Sequence, residues 1–152
     1  AYTSLQELAT RVSHRNAGKI TEDPAAFELM RHIATDENHH YIFYKGVMAA
    51  MLDENPSASL SGIYRMLTNF EMPGVAIPGF VRRSIDVAKA GVYNLRIHHD
   101  RVVMPLLKDW KIADMTDLTG KAAEFQDKIM ALPAEIMTKA ETFEKRIGLS
   151  PA

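Results

Sequence analysis

In the run ATDENHHYIFY, Ala34 to Tyr44, groups able to hold a proton or a metal ion stand close together: Asp36, Glu37, His39 and His40. Glu37 and His40 are three residues apart, so on a helix they share a face. A carboxylate that can bridge two ions, beside an imidazole that supplies one nitrogen, is the Glu-x-x-His unit by which helical bundles hold paired iron or manganese. The same residues allow a plainer arrangement, a buried Glu paired with Arg or Tyr, because a lone carboxylate in a core is costly. On this helix alone both readings stand.

The elements that must position these groups read as helices. With Glu37 as origin and about 100° per residue, Met30, Ile33, Tyr41, Tyr44, Met48 and Met51 fall within roughly 45° of it. Ala34 lies at the edge of that stripe. The expectation is therefore that Glu37 occupies the middle of the core-facing stripe, with His40 at its border. Asn38 and His39 point away, and Glu28 and His32 belong to a solvated face. Asp23-Pro24 is a cap followed by a first-turn proline and should start this helix, which ENPSAS ends near Asp53.

A first helix is expected from Tyr2 to Ala17, with Gly18 as its stop. Leu60, Ile63, Leu67 and Phe70 mark a third, and EMPGVAIPG breaks the chain after it. A fourth covers Phe80 to Ala90 and stops at Gly91. Asn94 caps a fifth reaching Trp110, kinked or delayed by Pro105. The last opens at Thr119 and runs towards Ile147, bent at Pro133. No strand-like alternation of useful length appears, so the fold class expected is all-α.

The bulk properties restrict function. The 152 residues suit one domain with a real core, and 24% are charged, as in ordinary globular proteins. A formal net charge of -1 gives no global electrostatic case for nucleic acid. Cysteine is absent, which excludes disulfides and thiolate metal sites and is compatible with the cytoplasm, the compartment expected here. No apolar run approaches the roughly 18–20 residues of a membrane span. The chain opens at Ala1 on what already reads as helix, which suggests either removal of an initiator Met or a piece of something longer.

YTSLQELATRVSHRN followed by TDENHH resembles the second half of the soluble acyl-carrier-protein desaturases, the plant stearoyl enzymes and their mycobacterial relatives. EMPG, GVY, VVMPLLKDWKI and LTGKAAEFQDKIMALP extend the resemblance over nearly the whole chain. It implies a ferritin-like, di-iron four-helix-bundle family and an oxygen-dependent enzyme that places a cis double bond in an acyl chain on acyl-carrier protein, in fatty acid biosynthesis. It also implies a ferredoxin-type electron donor and a homodimer.

Carried over residue by residue, the pattern makes Glu7 a terminal iron ligand, Glu37 a bridging carboxylate and His40 the imidazole on the iron that Glu7 holds. Thr10 matches the threonine beside the oxygen site. Asp36 matches an aspartate that hydrogen-bonds the ligand histidine of the other half. His14 matches a histidine near the site that is not a ligand, and His39 stands where the plant enzymes carry Arg. Periodicity alone does not single out Glu7. Leu5, Leu8, Ala9 and Val12 mark the apolar face of the first helix, and Glu7, Thr10, Arg11 and His14 the other. Only the resemblance implies that this helix is covered on both sides.

A complete site of this kind uses four Glu and two His, in two similar halves. This sequence offers three of the six ligands. The remaining paired histidines, in RIHHD from Arg96 to Asp100, have no Glu at ligand spacing and read as surface or capping. The expectation is a C-terminal half lacking its N-terminal helix pair, inactive alone, and associating with that half or with a second copy. Met72 and Phe80 are candidates for an acyl-channel wall, and Arg82, Arg83 and Lys89 for a surface meeting acidic acyl-carrier protein. Two other readings remain open: a ferritin- or rubrerythrin-like di-metal protein, which needs no lipid channel, and a non-catalytic helical interaction fragment in which Glu37 is a buried ion pair.

Overall fold

The computed structural model describes residues 1–71 and 74–149, all helix, turn and loop. The channel candidate Met72 lies outside the described residues.

Helix α1 (Tyr2–Ile20) and helix α2 (Pro24–Glu54) form a hairpin across a short connection. Leu5, Leu8, Ala9 and Val12 are buried on α1, following its helical period. Asp23 Oδ1 accepts from Ala25 N at 2.8 Å ahead of Pro24, so α2 starts where the cap and proline predict. Gly18 does not stop α1, which continues to Ile20. Its role is proximity: a Cβ at Gly18 would lie 3.1 Å from Met30 Cβ, so the missing side chain lets α1 and α2 close on each other.

Asn55 ends α2 and starts α3 (Pro56–Thr68), its side chain accepting from Ala58 N at 3.1 Å. After the turn, α4 (Phe80–Lys89) is followed by Gly91 at φ +70°, a conformation that suits glycine. The expected fifth helix is a three-part rod. Asn94 caps α5 (Leu95–His98), a π turn spans His99–Val103, and α6 (Met104–Asp109) ends at Trp110. Pro105 explains the wide turn. It has no N–H for the carbonyl four residues back and its ring crowds that carbonyl, a conflict the wider turn relieves. Met104 N accordingly bonds His99 O.

A short 3₁₀ turn, Ile112–Asp114, leads to α7 (Lys121–Ile147), which begins two residues after the expected Thr119. Gly120, at φ +53°, takes the cap position, and Thr119 contributes only its carbonyl, to Ala122 N. The helix continues through Pro133.

The rod is central, with α1 on one side and α7 on the other, while α3 packs on α7. Leu5, Leu60, Ile63, Leu106, Ile112 and Ile129 are fully buried where these elements meet. Tyr41 Oη donates to Asp109 Oδ2 at 2.7 Å, Lys45 Nζ donates to the same oxygen at 2.9 Å, and Trp110 Nε1 donates to Lys45 O at 3.2 Å. These three bonds tie the middle of α2 to the end of the rod and fix the helix that carries Glu37 and His40. No described helix is long and apolar enough to cross a membrane.

Candidate metal centre

Donor atoms of Glu7, Glu37 and His40 all lie within 4.8 Å of one another, Glu7 from α1 and the other two from α2. His40 Nδ1 is 3.3 Å from Glu7 Oε2 and 3.5 Å from Glu37 Oε2. The other oxygen of Glu37, Oε1, is 3.7 Å from His14 Nδ1, a buried nitrogen with no hydrogen-bond partner among the described residues. The two carboxylates are 16% and 19% exposed, whereas His40 is 58% exposed and forms the open side.

Shared space leaves a mark on Glu7. A hydrogen bond with Glu37, then burial, then the Glu37 charge raise the Glu7 carboxyl above its ordinary range, and His40 only partly opposes them. Two close carboxylates that resist ionising together are stabilised by a cation between them. Two carboxylates and one imidazole also suit iron or manganese. On this chemistry the residues present fit a metal.

Other residues singled out from the sequence fall around this cluster or away from it. Thr10 lies one turn beyond Glu7, and its hydroxyl donates to the carbonyls of its own helix, Gln6 O at 3.1 Å and Glu7 O at 3.0 Å. Asp36 and His39 are exposed. Glu28 and His32 are exposed as expected, with Glu28 paired to Arg31 at 2.8 Å. Phe80 is half-buried and walls a cavity of about 380 Å³ with Phe70, Ser84, Tyr93 and Phe143. Arg82, Arg83 and Lys89 are exposed on α4.

Two expectations need correction. Glu37 is not at the middle of the buried stripe: the buried residues of α2 are Ala34, Tyr41, Met48 and Leu52, a line roughly 50° to one side of it. Tyr44 and Met51, on the other flank, are exposed. Periodicity counts apolar residues without knowing which flank has a neighbour, and here α1 and the rod cover only one.

RIHHD is not a surface segment either. Arg96 makes a two-pronged bond to Glu144 of α7, Nε to Oε1 at 2.9 Å and Nη2 to Oε2 at 2.7 Å. His98 stacks on Phe70 with centroids 5.6 Å apart, and its Nδ1 is 2.8 Å from Tyr93 Oη. Burial, then the neighbouring His99, push the His98 imidazole down to about 4. Burial raises the Tyr93 phenol, so a protonated phenol meets a neutral ring, and the tautomer of His98 sets which of them donates. These partners are distant in sequence or irregular in spacing, and no periodic signal marks them.

Comparison with known proteins follows the same line. The family model described as "Fatty acid desaturase" matches residues 1–152. The Mycobacterium tuberculosis protein named as an acyl-[acyl-carrier-protein] desaturase, DesA1, is 43% identical over 143 residues, 94% of this chain and 42% of that protein. A chloroplastic stearoyl-[acyl-carrier-protein] 9-desaturase of Carthamus tinctorius is 29% identical over 160 residues, 99% of this chain and 40% of its own length. One from Arabidopsis thaliana is 28% identical over 155 residues, 95% and 39% of the two chains. The chain thus spans about two fifths of the curated relatives it matches. Its all-helical architecture agrees with the ferritin-like fold expected from the sequence, and the chain belongs to the fatty acid desaturase family.

Proposed function

We propose that this chain is the C-terminal part of an acyl-carrier-protein desaturase. In this reading Glu7, Glu37 and His40 hold half of a di-iron centre, and a helix pair outside this sequence supplies the other three ligands. The observation that carries the reading is the convergence of Glu7 from α1 on Glu37 and His40 from α2, in a chain matched along its whole length by the family model. When bound, the iron pair would supply the power to activate oxygen for removing two hydrogens from an acyl chain, with electrons from a ferredoxin-type donor.

The protein's own residues have simpler tasks. Glu37 directs one oxygen towards His40 and the other towards His14, which orients it between α1 and the open side. Thr10, its proton committed to backbone carbonyls, keeps hydroxyl lone pairs free beside the cluster. Asp36, exposed on this chain, would orient the ligand histidine of the other half. The cavity walled by Phe80, at about 380 Å³, is of a size that accepts a small apolar ligand and supports its use for part of the acyl chain, away from water. Arg82, Arg83 and Lys89 would meet acidic acyl-carrier protein. Phe43, Tyr44, Val47 and Met51, exposed on α2, would be covered by the N-terminal half or by a second copy.

Iron content and acyl-carrier-protein turnover test this reading, measured on the chain alone and mixed with a second chain bearing the expected Glu and Glu-x-x-His helices. Stable iron and turnover should appear only in the mixture and vanish with Glu37→Gln. A mixture that gains neither overturns the reading.

A further inference from the structure

We propose that the cavity between α1 and the π turn is an anion site that takes a phosphate group, bound by Arg11, Arg15, Lys19 and Arg101. The cavity measures about 290 Å³, and these four cations line it together with Asp109, its one carboxylate. Asp109 is already compensated, because it accepts both the Tyr41 hydroxyl and the Lys45 ammonium. Among the described residues none of the four cations forms a salt bridge. The excess is local, since the chain as a whole carries a formal net charge of -1.

Ordinary helix electrostatics accounts for part of the cluster only. Lys19 lies in the last turn of α1, where a cation complements the helix dipole. Arg11 and Arg15 stand further back on the same helix, and Arg101 approaches from the π turn opposite them. Arg11 is half-buried, so its charge has lost water without gaining an acid. Burial, then the charges of Arg15 and Arg101, accordingly lower its affinity for its proton.

Three guanidinium groups around one concavity suit an anion with several oxygens, because each can offer paired N–H donors to it. The hollow shape favours a small group that enters over the convex acidic surface of a protein. Such a phosphate could be the free ion or the end of an ester. The site uses none of Glu7, Glu37 and His40, so it stands or falls apart from the desaturase reading.

The test is calorimetric titration of the 152-residue chain with inorganic phosphate and with glycerol 3-phosphate, at ionic strength held constant with chloride. Saturable binding of one phosphate per chain is expected, and tighter binding of the ester than of the free ion identifies an ester as the natural ligand. Arg11→Gln and, separately, Arg101→Gln should each weaken binding about tenfold, the scale of one charge-assisted bond. Arg101 is exposed, so its substitution leaves the core intact, and Lys145→Gln, exposed on α7 and outside the cavity, should change nothing. Absence of saturation, or equal affinity in the unsubstituted chain and both arginine variants, overturns the proposal.

Discussion

Glu7 and His40 meet across the α1–α2 interface, Oε2 to Nδ1 at 3.3 Å, although they stand 33 positions apart in the chain. Their contact brings Glu37 into the same group and leaves His40 as the exposed member. Three donors open on one side hold a divalent ion less firmly than a closed set. The expected outcome is therefore iron well below two per chain after dialysis, with weak, titratable cobalt(II) binding that Glu37→Gln removes. Two iron ions retained per chain through gel filtration would contradict this.

The bond between Arg96 and Glu144 joins the rod to α7, and Glu144 is only 6% exposed. Arg96 holds the Glu144 carboxyl below its ordinary value of 4.5. A depressed carboxyl stabilises the fold above its unfolded pKa, and that stability is lost as pH falls through the folded one. Arg96→Met strands the carboxylate and should lower Tm by roughly 5 °C at pH 7. The gap between variant and parent should close below about pH 4.5. A gap of the same size at pH 3 would mean that packing, not charge, is what Arg96 contributes.

The helices and the cap that starts α2 were legible because they depend on neighbours in sequence, whereas the ends set by Gly18 and Thr119 shifted by two or three residues. Asp23-Pro24 and Asn55-Pro56 start helices through contacts two or three residues away. The side of α2 that is buried was not legible, because Met48 and Met51 are the same residue type and only tertiary neighbours distinguish them. Glu7 was beyond periodicity for the same reason, since α2 covers the polar side of α1. The setting of His98 was not legible, because a histidine pair without a spaced carboxylate looks solvated, while its partners are Phe70, far back in the chain, and Tyr93, five residues away.

His98 predicts a pH dependence of its own. Its imidazole falls from an ordinary 6.5 to about 4 in the fold, so it stays neutral where the unfolded chain is protonated. Stability from this group is complete above pH 6.5 and declines as pH falls towards 4, by an amount on the order of 2 kcal/mol. Urea midpoints at pH 5 and pH 7 should differ in the parent and converge in His98→Gln. A ring titrating near 6.5 by NMR would remove the effect.

Gly18 and Gly46 are both inside helices and should respond oppositely to alanine. Nothing lies within 4 Å of a Cβ at Gly46, so Gly46→Ala gains helix propensity worth up to about 1 kcal/mol. At Gly18 the new methyl would meet Met30 Cβ at 3.1 Å, a carbon fixed to the α2 backbone. Overpacking costs about 1–3 kcal/mol, enough to cancel that gain or exceed it. Denaturant midpoints should rise for Gly46→Ala and hold or fall for Gly18→Ala, and equal increases at both sites would show that the hairpin is looser than this contact requires.

The flank of α2 beside His40 is apolar and exposed. Phe43 is 64% exposed, Met51 54% and Val47 45%, and with Tyr44 they extend an apolar strip along the helix from the open side of the candidate metal centre. Single exposed apolar residues are common, but a contiguous strip of this kind favours association. Charging it should break the association without harming the fold, because these side chains contribute little to the buried core. Sedimentation of the purified chain is expected to give a species larger than 17.0 kDa, and Phe43→Glu with Val47→Lys to return it to the monomer at unchanged Tm. If the parent chain already sediments as a monomer at high concentration, the strip does not mediate self-association. If the variant instead loses stability while still associated, the strip belongs to the core.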